Sequence, residues 1–359
     1  MQTQINKLDF TGQNIYVGFD VHLKSWKVTI MTEHNTHKTF SQPPQPKVLY
    51  QYLKKNFPGG TYHSAYEAGF CGYWIHNNLK SLGINSIVVN PADIPTTDKE
   101  KVQKEDSRDS RKIARTLRSG DLKAIFVPST KTLEDRCLMR TRATLVKDLA
   151  RNKNRTTSFL YFHGIELPEA FKSNQTRWSK RFITWLDNIE IPEPSGKNSL
   201  NAIISVSKNL RLSVLEVTKL INELSKTESY HEQVMLLRSI PGIGLLTAMT
   251  LLTELETINR FESMDTLCGF IGLVPSTNSS GDNDIVGDIT RRGHIVLRSA
   301  IIESAWVAAR LDPALSKSYN DYCKRMSPNK AIIRIAKKLL SRIRYVLKNK
   351  KPYVCSIVK

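Results

Sequence analysis

The chain lacks an apolar stretch long enough to cross a bilayer; its longest, near Ile243 to Leu252, is about half of what a membrane helix needs. The first residues, MQTQINKLDF, hold no basic segment followed by an apolar core, so no export signal is read there. A soluble cytoplasmic protein with no membrane partner is expected. Cysteine is scarce: Cys71, Cys137, Cys268, Cys323 and Cys355 are odd in number, widely scattered and without a CxxC pair. That argues against a disulfide framework and a thiolate zinc site, and suggests a reducing compartment. Acidic residues are also short, 33 Asp and Glu against 53 Lys and Arg in 359 residues. A net charge of +20 and a pI near 9.7 carry heavy self-repulsion unless a polyanion offsets it, so nucleic acid is the default partner.

What the chain does have is an ordinary globular share of hydrophobic residues, 40%, enough for two or three domains with their own cores. Residues 14 to about 127 alternate strand and helix patterns. Ile15 to Asp20 reads as an apolar strand ending in a carboxylate, Trp26 to Met31 as a second strand and Thr36 to Phe40 as a third. A helix from Pro46 to Asn56, a strand from Tyr62 to Glu67, a helix from Tyr73 to Leu82 and a strand from Ile84 to Val89 follow. This order is that of an RNase H-like α/β domain.

The acids sharpen that reading. Asp20 and Glu67 end two strands that such a sheet places side by side, and Asp106 and Asp109, three residues apart at the start of a helix, share one face. Four converging carboxylates repel without a cation, and an oxygen-only set of this kind suits Mg²⁺ or Mn²⁺. Taken singly, each acid also reads as a helix-terminal or solvated charge; the joint placement is what points to a site. Arg111, Lys112 and Arg115 follow on the same helix, with Arg118 beyond and Lys99, Lys101 and Lys104 before it. Basic flanks around an acidic centre fit a site that holds a phosphate backbone; a solvated helix face is the alternative.

From about Thr130 the pattern becomes helical. Leu138, Leu145 and Leu149 recur at helical spacing among Arg136, Arg140, Arg142 and Lys147, so one side is expected to pack and the other to stay basic. Residues 161 to 198 read as irregular, with a linker at Pro192 to Gly196. A second long helix carries Ile203, Val206, Leu210, Val214, Val217, Ile221 and Leu224, resembling a heptad seam for an antiparallel or intersubunit coiled coil, with a plain helical core as the alternative. Leu237-Arg238-Ser239-Ile240-Pro241-Gly242-Ile243-Gly244 resembles a helix-hairpin-helix turn, or else is a tight turn with no ligand. Residues 324 to 351 hold eleven Lys or Arg and no acid, interleaved with Ile332, Ile333, Ile335, Leu339, Leu340, Ile343 and Val346. This is a basic amphipathic helix, on which Arg334, Lys337 and Lys338 are expected to face RNA or DNA.

One further segment joins these parts: Gly272-Leu273-Val274-Pro275, then Ser279-Ser280-Gly281, then Arg292-Gly293-His294 and Leu297-Arg298. Together with Gly18-Phe19-Asp20, Tyr66-Glu67-Ala68-Gly69, Asn90-Pro91-Ala92 and Asp106-Ser107-Arg108-Asp109, the sequence resembles the DEDD transposases of the IS-one-ten insertion sequences and the related Piv-type DNA invertases, over roughly residues 14 to 350. The resemblance implies an RNase H-like, Holliday-junction-resolvase-like domain over residues 1–127, a helical coiled-coil or oligomerisation region over 128–230 and a mainly α C-terminal transposase domain over 231–359. It carries the four catalytic, metal-binding acids onto Asp20, Glu67, Asp106 and Asp109, and the nucleophile onto Ser280, with Ser279 the neighbouring choice. It implies Mg²⁺ (or Mn²⁺), a transient phosphoserine link to DNA, donor and target DNA, a structured guide RNA (bridge RNA) and a homo-oligomer, from dimer to tetramer, whose subunits share a composite site. A serine hydroxyl needs a base or a cation to become a nucleophile, and no histidine neighbours Ser280 in sequence. His294 is expected to be structural, and Arg291, Arg292 and Arg298 to touch phosphate. The rival expectations are a metal-dependent junction-resolving nuclease using water alone, and a non-catalytic nucleic-acid scaffold.

Overall fold

The computed structural model describes residues 9–95, 106–173, 176–280, 283–290 and 292–355, with backbone alone at 106, 107, 277–280 and 283–286. The chain forms two units, Met1–Val127 and Pro128–Lys359. In the first, alternating apolar residues build strands β1 (Asn14–Val21), β2 (Trp26–Met31), β3 (Thr36–Gln42), β4 (Thr61–Glu67) and β5 (Asn85–Val89). They lie in one sheet in the order β3-β2-β1-β4-β5. The three opening strands pair antiparallel, whereas β1–β4 and β4–β5 are parallel. This is the RNase H-like arrangement expected from the sequence, and the element bounds agree with the expected ones to within two residues.

The two faces of the sheet bury different things. Ile15, Val17 and Phe19 point to one side, where Leu49 and Leu53 of α1 (Pro46–Asn56) and Ile75 and Leu79 of α2 (Trp74–Ser81) complete a core. Phe19 stacks between Trp26 and Tyr66, with ring centres 5.2 Å away on each side. On the opposite side lies α3 (Asp106–Ser119), whose Ile113 packs with Ala65, Val89 and Ile94. Gly18 is the reason α3 can sit so close: a Cβ there would fall on the backbone of Ser110 and Ala114.

The second unit begins with two long helices, α4 (Thr130–Phe162) and α6 (Pro194–Leu224), which pack antiparallel. At 33 and 31 residues each is roughly 50 Å long. Their far end is closed by α5 (Lys180–Asp187), whose Phe182 and Leu186 join Leu160, Ile189, Leu200 and Ile204. The stretch read as irregular therefore contains a helix, and the expected linker at Pro192 to Gly196 is instead the start of α6. Pro194 occupies its first turn, where a missing N–H costs nothing.

The seam between α4 and α6 differs from the expected heptad. Leu200, Ile204, Ser207 and Ile221 are buried, while Val206 is 47% exposed. Polar pairs set this offset: Asn152 Nδ2 donates to Ser207 Oγ (2.7 Å) and to the Ile203 carbonyl (2.8 Å), and Arg142 Nε donates to Thr218 Oγ1 (2.8 Å). Beyond the arm, α7 (His231–Arg238), α8 (Leu245–Leu255), α9 (Met264–Ile271), α10 (Ile295–Leu311), α11 (Pro313–Cys323) and α12 (Pro328–Asn349) share one large core. A hairpin, β6 (Pro275–Ser280) and β7 (Asn283–Ile289), projects between α9 and α10. Among the described residues no helix is long and apolar enough to cross a membrane, and no cysteine is in a disulfide.

Candidate active site and nucleic-acid-binding surfaces

Three elements of the first unit bring the acids toward one place. The parallel register pairs Phe19 with Tyr66, so Asp20 and Glu67, the next residues, stand side by side at the same end of adjacent strands. Side chains alternate along a strand, so Asp20 shares the side of Gly18, and Glu67 that of Ala65, which is the side covered by α3. The direction of α3 follows from two contacts. Ser110 Oγ lies 2.9 Å from Thr29 Oγ1, opposite Gly18, and Arg118 Nη1 donates to the Thr32 carbonyl, opposite the beginning of β1. The helix therefore runs antiparallel to β1 with its N-terminus toward Asp20. Four helical residues rise about 6 Å, and two strand residues advance about the same. The backbone of Asp106 is thus level with Asp20.

Asp20 and Asp109 are each about three-quarters covered, and each has a nitrogen-bearing neighbour. His22 Nε2 is 3.1 Å from Asp20 Oδ2, and Lys112 Nζ is 3.7 Å from Asp109 Oδ1. The side chain of Asp106 lies outside the described residues, and among the described ones no group of three His, Cys, Asp or Glu is close enough to hold a metal ion. The donors that the fold does line up are carboxylate oxygens, which match a hard divalent cation in chemistry.

Of the basic residues expected around this site, Arg111 and Arg115 are exposed. Lys112 is not: it is 8% exposed, and its cation is directed to Asp109 rather than to a surface phosphate. Lys99, Lys101 and Lys104 lie outside the described residues.

In the second unit the backbone places Ser280 at the end of β6, paired with Asn283 across the hairpin turn; the side chains of Ser279 and Ser280, and all of Arg291, lie outside the described residues. The root of the hairpin is a clasp of two glycines. Gly272 (φ +85°) and Gly293 (φ +123°) lie back to back, and a Cβ on Gly293 would come within 2.5 Å of the Gly272 Cα. Arg298 Nη1 donates to the Thr290 carbonyl at 2.7 Å and to that of Gly272 at 3.5 Å, which directs this part of the guanidinium to the clasp. Arg292 is exposed beside it.

His294 is structural, as expected. Its Nδ1 accepts the Leu297 N–H (3.3 Å) and so caps α10, leaving the proton on Nε2, which donates to Glu254 Oε2 (3.1 Å). Glu254, 3% exposed near the end of α8, is a node that sequence reasoning missed. Arg140 grips it through Nε (2.8 Å) and Nη2 (2.9 Å), and Arg136 Nε approaches to 3.1 Å. Arg136 also donates to the Thr253 carbonyl (3.0 Å), so it belongs to a buried network and not to the basic face assigned to it. Burial alone would raise the Glu254 carboxyl, but the hydrogen bonds from His294 and Arg140 and the charge of Arg136 outweigh it and hold the pKa at about 2. An acid inside an otherwise apolar helix was the available signal.

The remaining expectations sort by position. Gly242 (φ +89°) faces α10, where a Cβ would meet the Ser304 carbonyl at 2.5 Å, so that glycine of the helix-hairpin-helix-like turn serves packing; around Gly244 there is open space. On α12 the expected apolar stripe is buried, with Ile333 partly so. Arg334 and Lys337, with Lys330, line a cavity of about 780 Å³ at the hairpin root, alongside Asp288. Lys338 is directed inward instead: its Nζ donates to Ser318 Oγ (2.9 Å) and lies over the Tyr322 ring.

Comparison with known proteins agrees with this architecture. Residues 17–164 match the DEDD transposase domain of IS110 elements, and residues 234–320 match the transposase domain of the IS116/IS110/IS902 family. The chain is 31% identical over 260 residues to the transposase for insertion sequence element IS1533 of Leptospira borgpetersenii, covering 70% of this chain and 72% of that one. It is 31% identical over 252 residues to a Sinorhizobium fredii protein, y4qE, named as a transposase, covering 70% of this chain and 60% of that protein's length. The transposase for insertion sequence element IS1111A of Coxiella burnetii is 24% identical over 296 residues, 80% of this chain and 78% of that one. The chain belongs to the IS116/IS110/IS902 family of transposases, enzymes that cut and rejoin DNA.

Proposed function

We propose that this transposase cuts and rejoins DNA through a serine nucleophile activated at a divalent-metal site, guided by a structured RNA. The observation that carries the reading is the common end and face of Asp20, Glu67 and the N-terminus of α3. Asp20, Glu67, Asp106 and Asp109 would hold Mg²⁺ or Mn²⁺, which when bound supplies positive charge for a phosphodiester oxygen and a serine hydroxyl. Ser280 Oγ gives up its proton and attacks phosphorus. The new Oγ–P bond forms as the P–O3′ bond breaks, and the departing strand takes a proton to become a free 3′-hydroxyl. A 3′-hydroxyl of the joining strand then attacks the phosphoserine and returns the serine, so no bond energy is lost between the two steps.

Several surfaces support the rest of the reading. The α4–α6 arm exposes Leu212 and Leu215, three residues apart on one side of α6, an apolar spot suited to a second copy of the chain, so that the acids of one subunit can serve the serine of another. Arg111, Arg115, Arg292, Arg334 and Lys337 would carry phosphates of DNA or of the guide RNA, whose base pairing would supply the target choice. The enzyme would act in the cytoplasm, where its element resides.

The test is a denaturation-resistant protein–DNA adduct formed with Mg²⁺ on an element-end substrate. Adduct is expected from the wild type, none from Ser280→Ala or Asp20→Ala, and full RNA binding from both variants. An adduct that survives Ser280→Ala, or cleavage by that variant with a free 5′-phosphate product, would replace the serine with water as the nucleophile.

A further inference from the structure

A cavity at the far end of the α4–α6 arm gathers cations from several elements. It has a volume of about 580 Å³ and is lined by Lys153, Arg177, Trp178, Lys180, Lys208 and Arg211, which come from α4, the loop before α5, α5 and α6. No acidic side chain is part of this lining among the described residues; the nearby Asp187 pairs with Lys208, its Oδ2 2.9 Å from Nζ. Five cations around a space of this size repel one another; Lys180, Lys208 and Arg211 are exposed, while Lys153 and Arg177 are partly covered. Burial first, and the neighbouring Arg211 second, push the Lys153 amine below its ordinary pKa.

The loop that closes the cavity is itself held in a costly shape. Trp178 has φ +66°, a left-handed conformation that a bulky residue rarely adopts. Arginines of the cavity pin it there: Arg211 Nη1 donates to the Trp178 carbonyl (3.3 Å), and Arg177 donates from Nε and Nη2 to the carbonyls of Phe171 and Lys172 (both 3.0 Å). The result sets the indole beneath Lys153, whose Nζ is 5.3 Å from the ring centre. Strained backbone, a desolvated lysine and converging like charges all raise the energy of the free chain. A bound polyanion offsets the last two of these, and the polyanion that a transposase must hold is DNA.

We propose that this cavity binds a backbone phosphate of the substrate DNA, anchoring the helical arm to the duplex through residues other than the acids and the serine hairpin. Lys153 and Lys180 contribute mobile charges, and the Trp178 loop sets the depth to which the phosphate enters. Because the contact is to phosphate, it adds affinity without reading sequence.

The experiment is a fluorescence-anisotropy titration of duplex DNA with the full chain across a salt series. Each neutralised phosphate contributes about 0.9 to the slope of log affinity against log salt. The Lys153→Gln/Lys180→Gln variant, whose changes lie at or near the surface, should lose about one unit of slope and bind several-fold more weakly at high salt, while melting like the wild type. Asp187→Asn, which releases Lys208, should change the slope in the opposite direction. DNA should also alter the emission of the wild type more than that of Trp178→Phe. An unchanged slope in the double lysine variant overturns the proposal, and so does a loss confined to RNA with duplex DNA unaffected. Ser280→Ala should retain the full slope, so failure of the nucleophile assignment and failure of this anchor give different results.

Discussion

Glu254→Gln isolates the cost of the buried node that joins α4, α8 and the start of α10. The carboxylate accepts from Arg140 twice and from His294, with Arg136 Nε 3.1 Å away, in a site that is 3% exposed. Its pKa falls from 4.5 to about 2, which corresponds to roughly 3 kcal/mol of stabilisation of the folded state. The neutral amide keeps the shape but leaves two guanidinium groups facing no negative charge, an outcome in the range of about 3–5 kcal/mol for broken buried pairs. For a unit of this size, a loss of about 3 kcal/mol lowers the melting temperature by roughly 6–12 °C. Because the folded pKa is depressed, the stabilisation is fully present above about pH 5 and disappears as the pH falls through about 2. Wild type and variant, compared by calorimetry or circular dichroism, should therefore differ at pH 7 and converge in acid. A melting difference under about 2 °C at pH 7, or one that persists unchanged in acid, would refute the assignment of Glu254 as an ionised keystone.

Three other outcomes follow from close approaches and charge. Gly18→Ala should destabilise the first unit by about 3 kcal/mol or more, read by urea unfolding, because its Cβ would fall on the α3 backbone. Gly272→Ala adds a strained φ of +85° and a clash with the Arg292 carbonyl, and should reduce DNA cleavage well over tenfold while DNA affinity changes less than twofold. Arg334→Ala/Lys337→Ala, at the hairpin-root cavity, should lower the salt slope of DNA binding by nearly two, whatever the DNA sequence.

The first unit was largely legible because its strands are short and bounded by turn residues, so apolar runs, turns and terminal acids all mark the same boundaries. The acids followed from that order, since a parallel β1–β4 pair fixes which strand ends are neighbours. Periodicity failed where packing is polar. Asn152, Ser207, Arg142 and Thr218 form part of the α4–α6 contact, and a search for leucines at heptad spacing passes over them. The same blindness placed Arg136 and Lys112 on solvated faces: charge alone does not reveal a carboxylate brought from 118 residues away, as Glu254 is to Arg136, or from the next helical turn, as Asp109 is to Lys112. Pro194 reads as a linker in the sequence because proline ends helices more visibly than it begins them.

The clasp of α3 over Gly18 has a consequence for the chain as it leaves the ribosome. Asp20 and Glu67 emerge early, but the helix bearing Asp109 is synthesised later and docks with the backbone of Ser110 and Ala114 against Gly18 and with Ile113 against Ala65 and Val89. A nascent fragment that stops before this helix carries Asp20 and Glu67 on a sheet face that nothing yet covers. Until translation passes Ala114, the side of the sheet bearing Gly18 and Ala65 has no helix to pack against it.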